Sequence, residues 1–301
     1  MNRNLLSFFI VLSVIFIQQS YAGSRNDIVP RPKVSTLKDI NDRESLILTA
    51  SYNIRYENVH DGDNSWSNRK EPVKALIRFH DFDIFGIQEG VINQVRGIAE
   101  LDQYGWIGKG REDGKEAGEH CAIFYKKDRF KLLDSGDFWL SETPEKPGLG
   151  WDAPHNIRIT SWGKFKDMKT KKTFVFFSTH FDHMGKEARR QSGYLMVKKI
   201  QEIAGNYPVI CVGDFNSLPD TEQVATMKTL LNDAYLVTEQ PPYGPEGTTN
   251  GFKFDAPMKH RIDYIFVSKR IKVLKYGVLT DSYEQRYPSD HQPVVSLIKI
   301  D

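Results

Sequence analysis

The feature that most constrains this chain is a set of short apolar runs, each meeting a polar residue at its end. "LILTASYN" ends in Asn53, "DIFGIQE" in Glu89 and "TFVFFSTH" in His180, with Asp182 two residues later. "PVICVGDFN" passes directly into Asp214 and Asn216, "RIDYIFV" carries Asp263 inside an apolar stretch, and "SDHQPV" places Asp290 and His291 just before a last run, "PVVSLIKI". Runs of this length, rich in β-branched and aromatic residues and bounded by turn formers, read as β-strands. Strand ends on one edge of a sheet converge on one cleft, so groups far apart in sequence can meet there.

"CAIFYK", "LLDSGDFWL", "ITSWGKFK" and "IKVLKYGVL" add further strands. Between them, helical patterns run over residues 71–79, 91–101, 186–204 and 222–231; in the third, Ala188, Leu195, Val197 and Ile200 form a partial apolar face. A Pro, Gly and Thr-rich loop spans residues 240–251. Many strands with a few interspersed helices predict an α/β fold in which two sheets pack face to face with helices outside. With 301 residues and 40% hydrophobic content, the chain can bury one large core. Its formal net charge of +2 sets up no field that demands a nucleic-acid partner.

The first 22 residues have the features of an export signal. Arg3 lies in a short basic region, residues 5–17 are apolar, and Ser20 and Ala22 place small residues where a signal peptidase reads. The apolar run is shorter than the roughly 20 residues of a membrane span. We therefore expect a signal peptide over 1–22, a flexible lead-in over 23–44, and one domain over 45–301, exported to the periplasm or beyond with no stable membrane span. Cys121 and Cys211 are the only cysteines, each inside a strand-like stretch, and they are expected to be buried thiols.

Taken singly, each polar strand end is weak evidence, because Asp or Asn after a strand is usually a turn former. Asp263 is different, since a buried carboxylate without a partner costs several kcal/mol. His291 is its natural partner. Trp66, Trp139, Trp151 and Trp162 lie at loops or strand ends, where core packing competes with stacking on a ligand.

In order, "NIR", "IQE", "STH", "GDFN", "RIDYI" and "SDHQPV" resemble the endonuclease/exonuclease/phosphatase superfamily, and the wording around them is most similar to its exported bacterial branch. The resemblance implies a four-layer α/β/β/α sandwich of two packed mixed sheets flanked by helices. It also implies a divalent-metal-dependent attack of water on a phosphate ester. Hard oxygen donors suit Mg²⁺ or Mn²⁺. Glu89, Asn53 and Asp290 are then the expected metal ligands. Asp214 is expected to deprotonate the attacking water and Asn216 to orient water or phosphate. His291, held by Asp263, and His180 from the opposite side would hydrogen-bond phosphate oxygens in protonated form. Glu119 corresponds to the Glu that orients the second His in nuclease relatives. Asp182 and Arg189 are candidate substrate contacts.

No stretch of Lys and Arg interleaved with aromatics marks a duplex-binding surface. We therefore expect a monomeric phosphoesterase acting on a small molecule or lipid head group, ahead of a nuclease acting on DNA or RNA. A non-catalytic phosphoester-binding protein on the same fold is the third reading.

Overall fold

A computed structural model describes residues 44–301. The expected signal peptide and all but the last residue of the lead-in lie outside the described residues. The described chain forms twelve strands: β1 (Leu46–Asn53), β2 (Ile84–Gln88), β3 (Tyr104–Ile107), β4 (Ile123–Lys126), β5 (Phe130–Trp139), β6 (Ile159–Asp167), β7 (Thr173–His180), β8 (Val209–Asp214), β9 (Asn232–Asp233), β10 (Asp263–Val267), β11 (Ile271–Val278) and β12 (Val294–Ile300). Five α-helices join them: α1 (Trp66–His80), α2 (Ile92–Ala99), α3 (Lys186–Ala204), α4 (Glu222–Leu230) and α5 (Ala234–Val237).

The strands make two six-stranded sheets, ordered β11-β12-β1-β2-β4-β3 and β5-β6-β7-β8-β10-β9. Each is mixed, with one parallel pair at its centre: β1 with β2, and β7 with β8. A parallel pair needs a crossover, and a helix supplies it in each case, α1 in the first sheet and α3 in the second. The expected sandwich is the observed fold. One apolar cluster, with Ile84, Ile123, Phe165, Phe176, Val212 and Ile265, fills the space between the sheets. A second packs Val73, Leu76 and Val95 of α1 and α2 on the first sheet, and a third packs Met196, Ile200 and Val224 of α3 and α4 on the second. Truncating fully buried Phe176 to alanine should cost about 3–5 kcal/mol.

Two helices depart from the sequence pattern. α1 begins at Trp66, five residues before the expected start, with Pro72 inside it. A proline normally marks a first turn, but burial of Trp66 and Arg69 on the upstream face extends this helix past it. α3 has the expected bounds and a wider buried face than expected: Ala188 and Ile200 are buried together with Ser192, Gly193, Met196 and Ala204, while Leu195 and Val197 pack half-buried at its edge. The α4 residue Gln223 packs so closely on Gly193 that a Cβ there would lie 3.0 Å from it. Small residues thus make part of this helix face, and a hydrophobicity pattern does not register them.

Cys121 and Cys211 are both free and buried, and burial raises both thiols far above their ordinary value. Among the described residues no helix is long and apolar enough to cross a membrane.

Candidate active site

The two parallel pairs end side by side. In the parallel registers Asn53 lies beside Gln88 and His180 beside Asp214, so the carboxyl ends of β1, β2, β7 and β8 open on one edge. β10 runs antiparallel to β8 and brings Asp263 opposite Asp214; β12 runs antiparallel to β1, so the preceding Asp290 and His291 arrive beside Asn53. Under this edge the sheets approach closely. A Cβ on Gly86 would lie 2.5 Å from Ser178 Oγ and 2.6 Å from Val212, so only glycine fits.

The strand exits carry backbone strain. Arg55, Glu89 and Asn216 adopt φ of 56°, 64° and 45°, in the left-handed region that non-glycine residues avoid. Such strain persists where surrounding contacts enforce it. Arg69 enforces part of it, donating to the carbonyls of Ile54, Arg55, Asn64 and Pro288. Gln94 adds a bond to Arg55 O.

The resulting cleft has a volume of about 550 Å³. Asp214, 1% exposed, is at its centre. Its Oδ2 accepts from Asn53 Nδ2 at 3.0 Å and lies 3.5 Å from His180 Nε2 and 3.9 Å from His291 Nε2, while Oδ1 accepts the Asn216 N–H at 2.8 Å. Burial, reinforced by the Asp263 carboxylate, pushes Asp214 up to about 7.

On one side, His291 Nδ1 donates to Asp263 Oδ2 at 2.9 Å, as expected from the sequence. Thr248 Oγ1 donates to the same oxygen at 2.6 Å and accepts the N–H groups of Ile262 and Asp263, fixing the carboxylate from behind. Burial opposes a charge on His291, but Asp263, Asp214 and Asp290 outweigh it and lift the imidazole well above its ordinary value. Asn53 Nδ2 also donates to Glu89 Oε1 at 2.8 Å, and Tyr56 N–H to Glu89 Oε2 at 3.1 Å. Asp290 is raised by burial, and Glu89 adds to the effect.

On the other side stand residues that the sequence reading did not single out. Arg158, 5% exposed, places Nη1 3.1 Å from both ring nitrogens of His180 and Nη2 2.9 Å from His183 Nδ1. Arg111 Nη1 donates to Glu119 Oε2 at 2.6 Å and Nη2 to Asn156 at 3.3 Å. Burial, with Arg158 and Arg111 adding to it, holds His180 well below the ordinary histidine value. His180 is therefore a neutral ring here, not the cation expected of a phosphate clamp. Its Nε2 lies 3.1 Å from Asn216 Nδ2, and its Nδ1 faces Glu119 Oε2 at 3.9 Å. That is longer than a hydrogen bond. Burial raises Glu119 to about 7 against the pull of Arg111, its nearest partner.

Asp182 and Arg189 do not line this cleft. Asp182 is 1% exposed, accepts the N–H groups of Met184 and Gly185, and pairs with Arg158 Nε at 3.4 Å. Its carboxylate is consumed in closing the turn after β7 and in aiming Arg158. Arg189 donates to Asp182 O and faces a neighbouring cavity. Trp66 and Trp139 are buried, with Trp139 Nε1 donating to Arg111 O at 2.7 Å.

The donor set suits a hard divalent cation. Glu89, His180 and Asp214 present donor atoms within 4.8 Å of one another, as do Asp214, Asp263 and His291. In the second group the Asp263–His291 hydrogen bond uses the facing atoms, and in the first Arg158 and Asn216 surround the His180 nitrogens. The carboxylates of Glu89, Asp214 and Asp290 remain, and the raised affinity of Asp214 and Asp290 for protons marks a buried excess of negative charge that a cation would neutralise. Asn53 turns its amide N–H groups toward Glu89 and Asp214 and its oxygen toward Arg55 N, which makes it a tether for the carboxylates in this arrangement.

Comparison with known proteins accords with this geometry. The model of the Endonuclease/Exonuclease/phosphatase family matches residues 50–291. The mannosyl-6-phosphatase of Bacteroides thetaiotaomicron is 42% identical and superposes with a TM-score of 0.81, covering 84% of this chain and 99% of that one. An endonuclease/exonuclease/phosphatase from Bacteroides vulgatus is 39% identical at a TM-score of 0.81, covering 85% and 99%. Human nocturnin is 28% identical over 197 residues, 58% of this chain and 42% of nocturnin. Members of this family are phosphoesterases and nucleases that generally depend on a divalent metal. From its strand-end motifs, its paired mixed sheets and the match over residues 50–291, this chain belongs to the endonuclease/exonuclease/phosphatase family.

Proposed function

We propose that this chain is an exported, divalent-metal-dependent phosphomonoesterase acting on a phosphorylated sugar. The observation that carries the reading is one compact cleft with the carboxylates of Glu89, Asp214 and Asp290 on one side, Arg55 beside Asp290, and the guanidinium groups of Arg111 and Arg158 on the other, Arg111 paired with Glu119. A terminal phosphate carries two negative charges and three free oxygens, and the fork of Arg158 beside Arg111 offers several N–H donors to it. A cleft of about 550 Å³ suits such a group better than the long basic groove that a duplex needs. The likeness to a mannosyl-6-phosphatase supports the sugar. Export rests on residues 1–22 of the sequence.

Glu89 and Asp290, with Asp214 beside them, would hold Mg²⁺ or Mn²⁺, which when bound neutralises phosphate charge and lowers the pKa of coordinated water. Asp214, pushed to about 7, accepts the proton of the attacking water as its oxygen bonds to phosphorus. The phosphorus–oxygen bond to the sugar breaks as this bond forms. His291, kept cationic by Asp263, donates to a non-bridging oxygen as charge accumulates. Neutral His180 and the Phe181 carbonyl fix the Asn216 amide in the cleft wall, with Arg158 beside the ring.

The purified protein is expected to hydrolyse p-nitrophenyl phosphate with Mg²⁺ or Mn²⁺, to prefer it over bis(p-nitrophenyl) phosphate, and to lose activity in EDTA. Preference for the diester would make it a phosphodiesterase. Absence of turnover on both, with either metal, would leave a binding protein on this fold.

A further inference from the structure

A second cavity, of about 640 Å³, adjoins the cleft and shares Asn216 as a wall. It lies between the first turn of α3, the first turn of α4 and the loop that carries Asp152. Asn216 Nδ2 lies 3.1 Å from His180 Nε2, so a single side chain separates this cavity from the catalytic groups.

Its lining identifies a ligand class by exclusion. Lys186, Arg189 and Arg190 are balanced by Asp152, Glu187 and Glu222, so a polyanion such as nucleic acid gains no net attraction. None of the lining residues is aromatic, so a base has nothing to stack on. Leu218 is the one large apolar side chain, too little for an acyl chain. Hydroxyl groups, each a donor and an acceptor, match alternating carboxylates and cations. The side-chain donors are partly unspent: the Lys186 ammonium makes no hydrogen bond or ion pair among the described residues, and the Arg189 guanidinium makes one hydrogen bond, to Asp182 O at 3.2 Å. Arg190 is by contrast committed to Glu187 and Glu222. Asp152 caps α3 through the N–H groups of Glu187 and Ala188, so the helix end itself is not open to an anion.

We propose that this cavity is a subsite for a neutral, hydroxyl-rich extension of the leaving group, so that the substrate is a phosphorylated oligosaccharide and not a free sugar phosphate. The inference rests on the phosphoesterase reading. With phosphate at Asp214, the sugar that bears it lies against Asn216, and the next units reach Leu218, Lys186 and Arg189.

The test compares kcat/KM on three probes: p-nitrophenyl phosphate, a hexose 6-phosphate, and a trihexose bearing one terminal 6-phosphate. Wild type should prefer the trihexose over the monosaccharide by at least about tenfold, the gain from one added hydrogen bond to a charged group. Leu218→Trp, which fills the cavity from an exposed position, and Lys186→Ala should each bring that ratio close to one. A wild-type ratio of one, or a ratio unchanged in both variants, overturns the subsite while turnover of p-nitrophenyl phosphate upholds the phosphoesterase. No turnover of any probe overturns the phosphoesterase reading, and the subsite with it.

Discussion

Two histidines flank Asp214, and the fold drives them to opposite charge states. His291 meets the Asp263 carboxylate and is lifted well above its ordinary value despite its burial; His180, equally enclosed, meets the Arg158 guanidinium and is held well below. The same side-chain type at similar distance from one carboxylate, 3.9 Å and 3.5 Å, thus becomes a cationic donor on one side and a neutral acceptor on the other. Residue type and position in a motif do not fix a role; the second neighbour does.

The strongest way to break this asymmetry is to replace each ring with a neutral amide. His291→Gln should lower kcat by about a hundred- to a thousandfold, the scale of a lost charge-stabilising donor. His180→Gln keeps an acceptor for Asn216 and should cost about tenfold or less; equal losses in steady-state assays would show that both rings act as cations. A smaller effect is expected on the basic side. Arg158→Lys removes the fork and should raise KM for a phosphomonoester by about tenfold with kcat less affected; a drop confined to kcat would move Arg158 from binding to transition-state stabilisation.

The smallest expected change is a shift of pH profile. Activity needs Asp214 ionised and His291 protonated, so it rises with pH as Asp214 loses its proton, at a pH below its cation-free value of about 7 because a bound cation favours the ionised form, and falls where His291 loses its proton. Asp263→Asn removes the anion that raises His291, so the alkaline limb should move to lower pH by about one to two units. An alkaline limb that stays in place would assign it to another group.

Much of the carboxylate side was legible because each member terminates an apolar strand. Asn53, Glu89, Asp214 and His291 follow or precede runs that can only be buried, and a polar group there is informative. The basic side was not legible. Arg158 sits in "HNIRIT" and Arg111 in the mixed-charge stretch "REDGKEAGE", where an arginine reads as solvated surface; their burial to 5% and 9% arises only when loops from both sheets close over them. Asp182 misled for a related reason. Two residues past His180, it would share a face with it in an extended strand, but β7 ends at His180 and the carboxylate turns to cap Met184 and Gly185.

The left-handed corners at Arg55, Glu89 and Asn216 bear on how this site can be transplanted. A designer who copied only the side chains onto other strand ends would place them on ordinary extended backbone, facing elsewhere. The transferable unit is the strand exit with its positive-φ residue and the groups that enforce it, Arg69 and Gln94 among them. A scaffold lacking these supports would relax each corner to negative φ and scatter the carboxylates before any phosphate arrived.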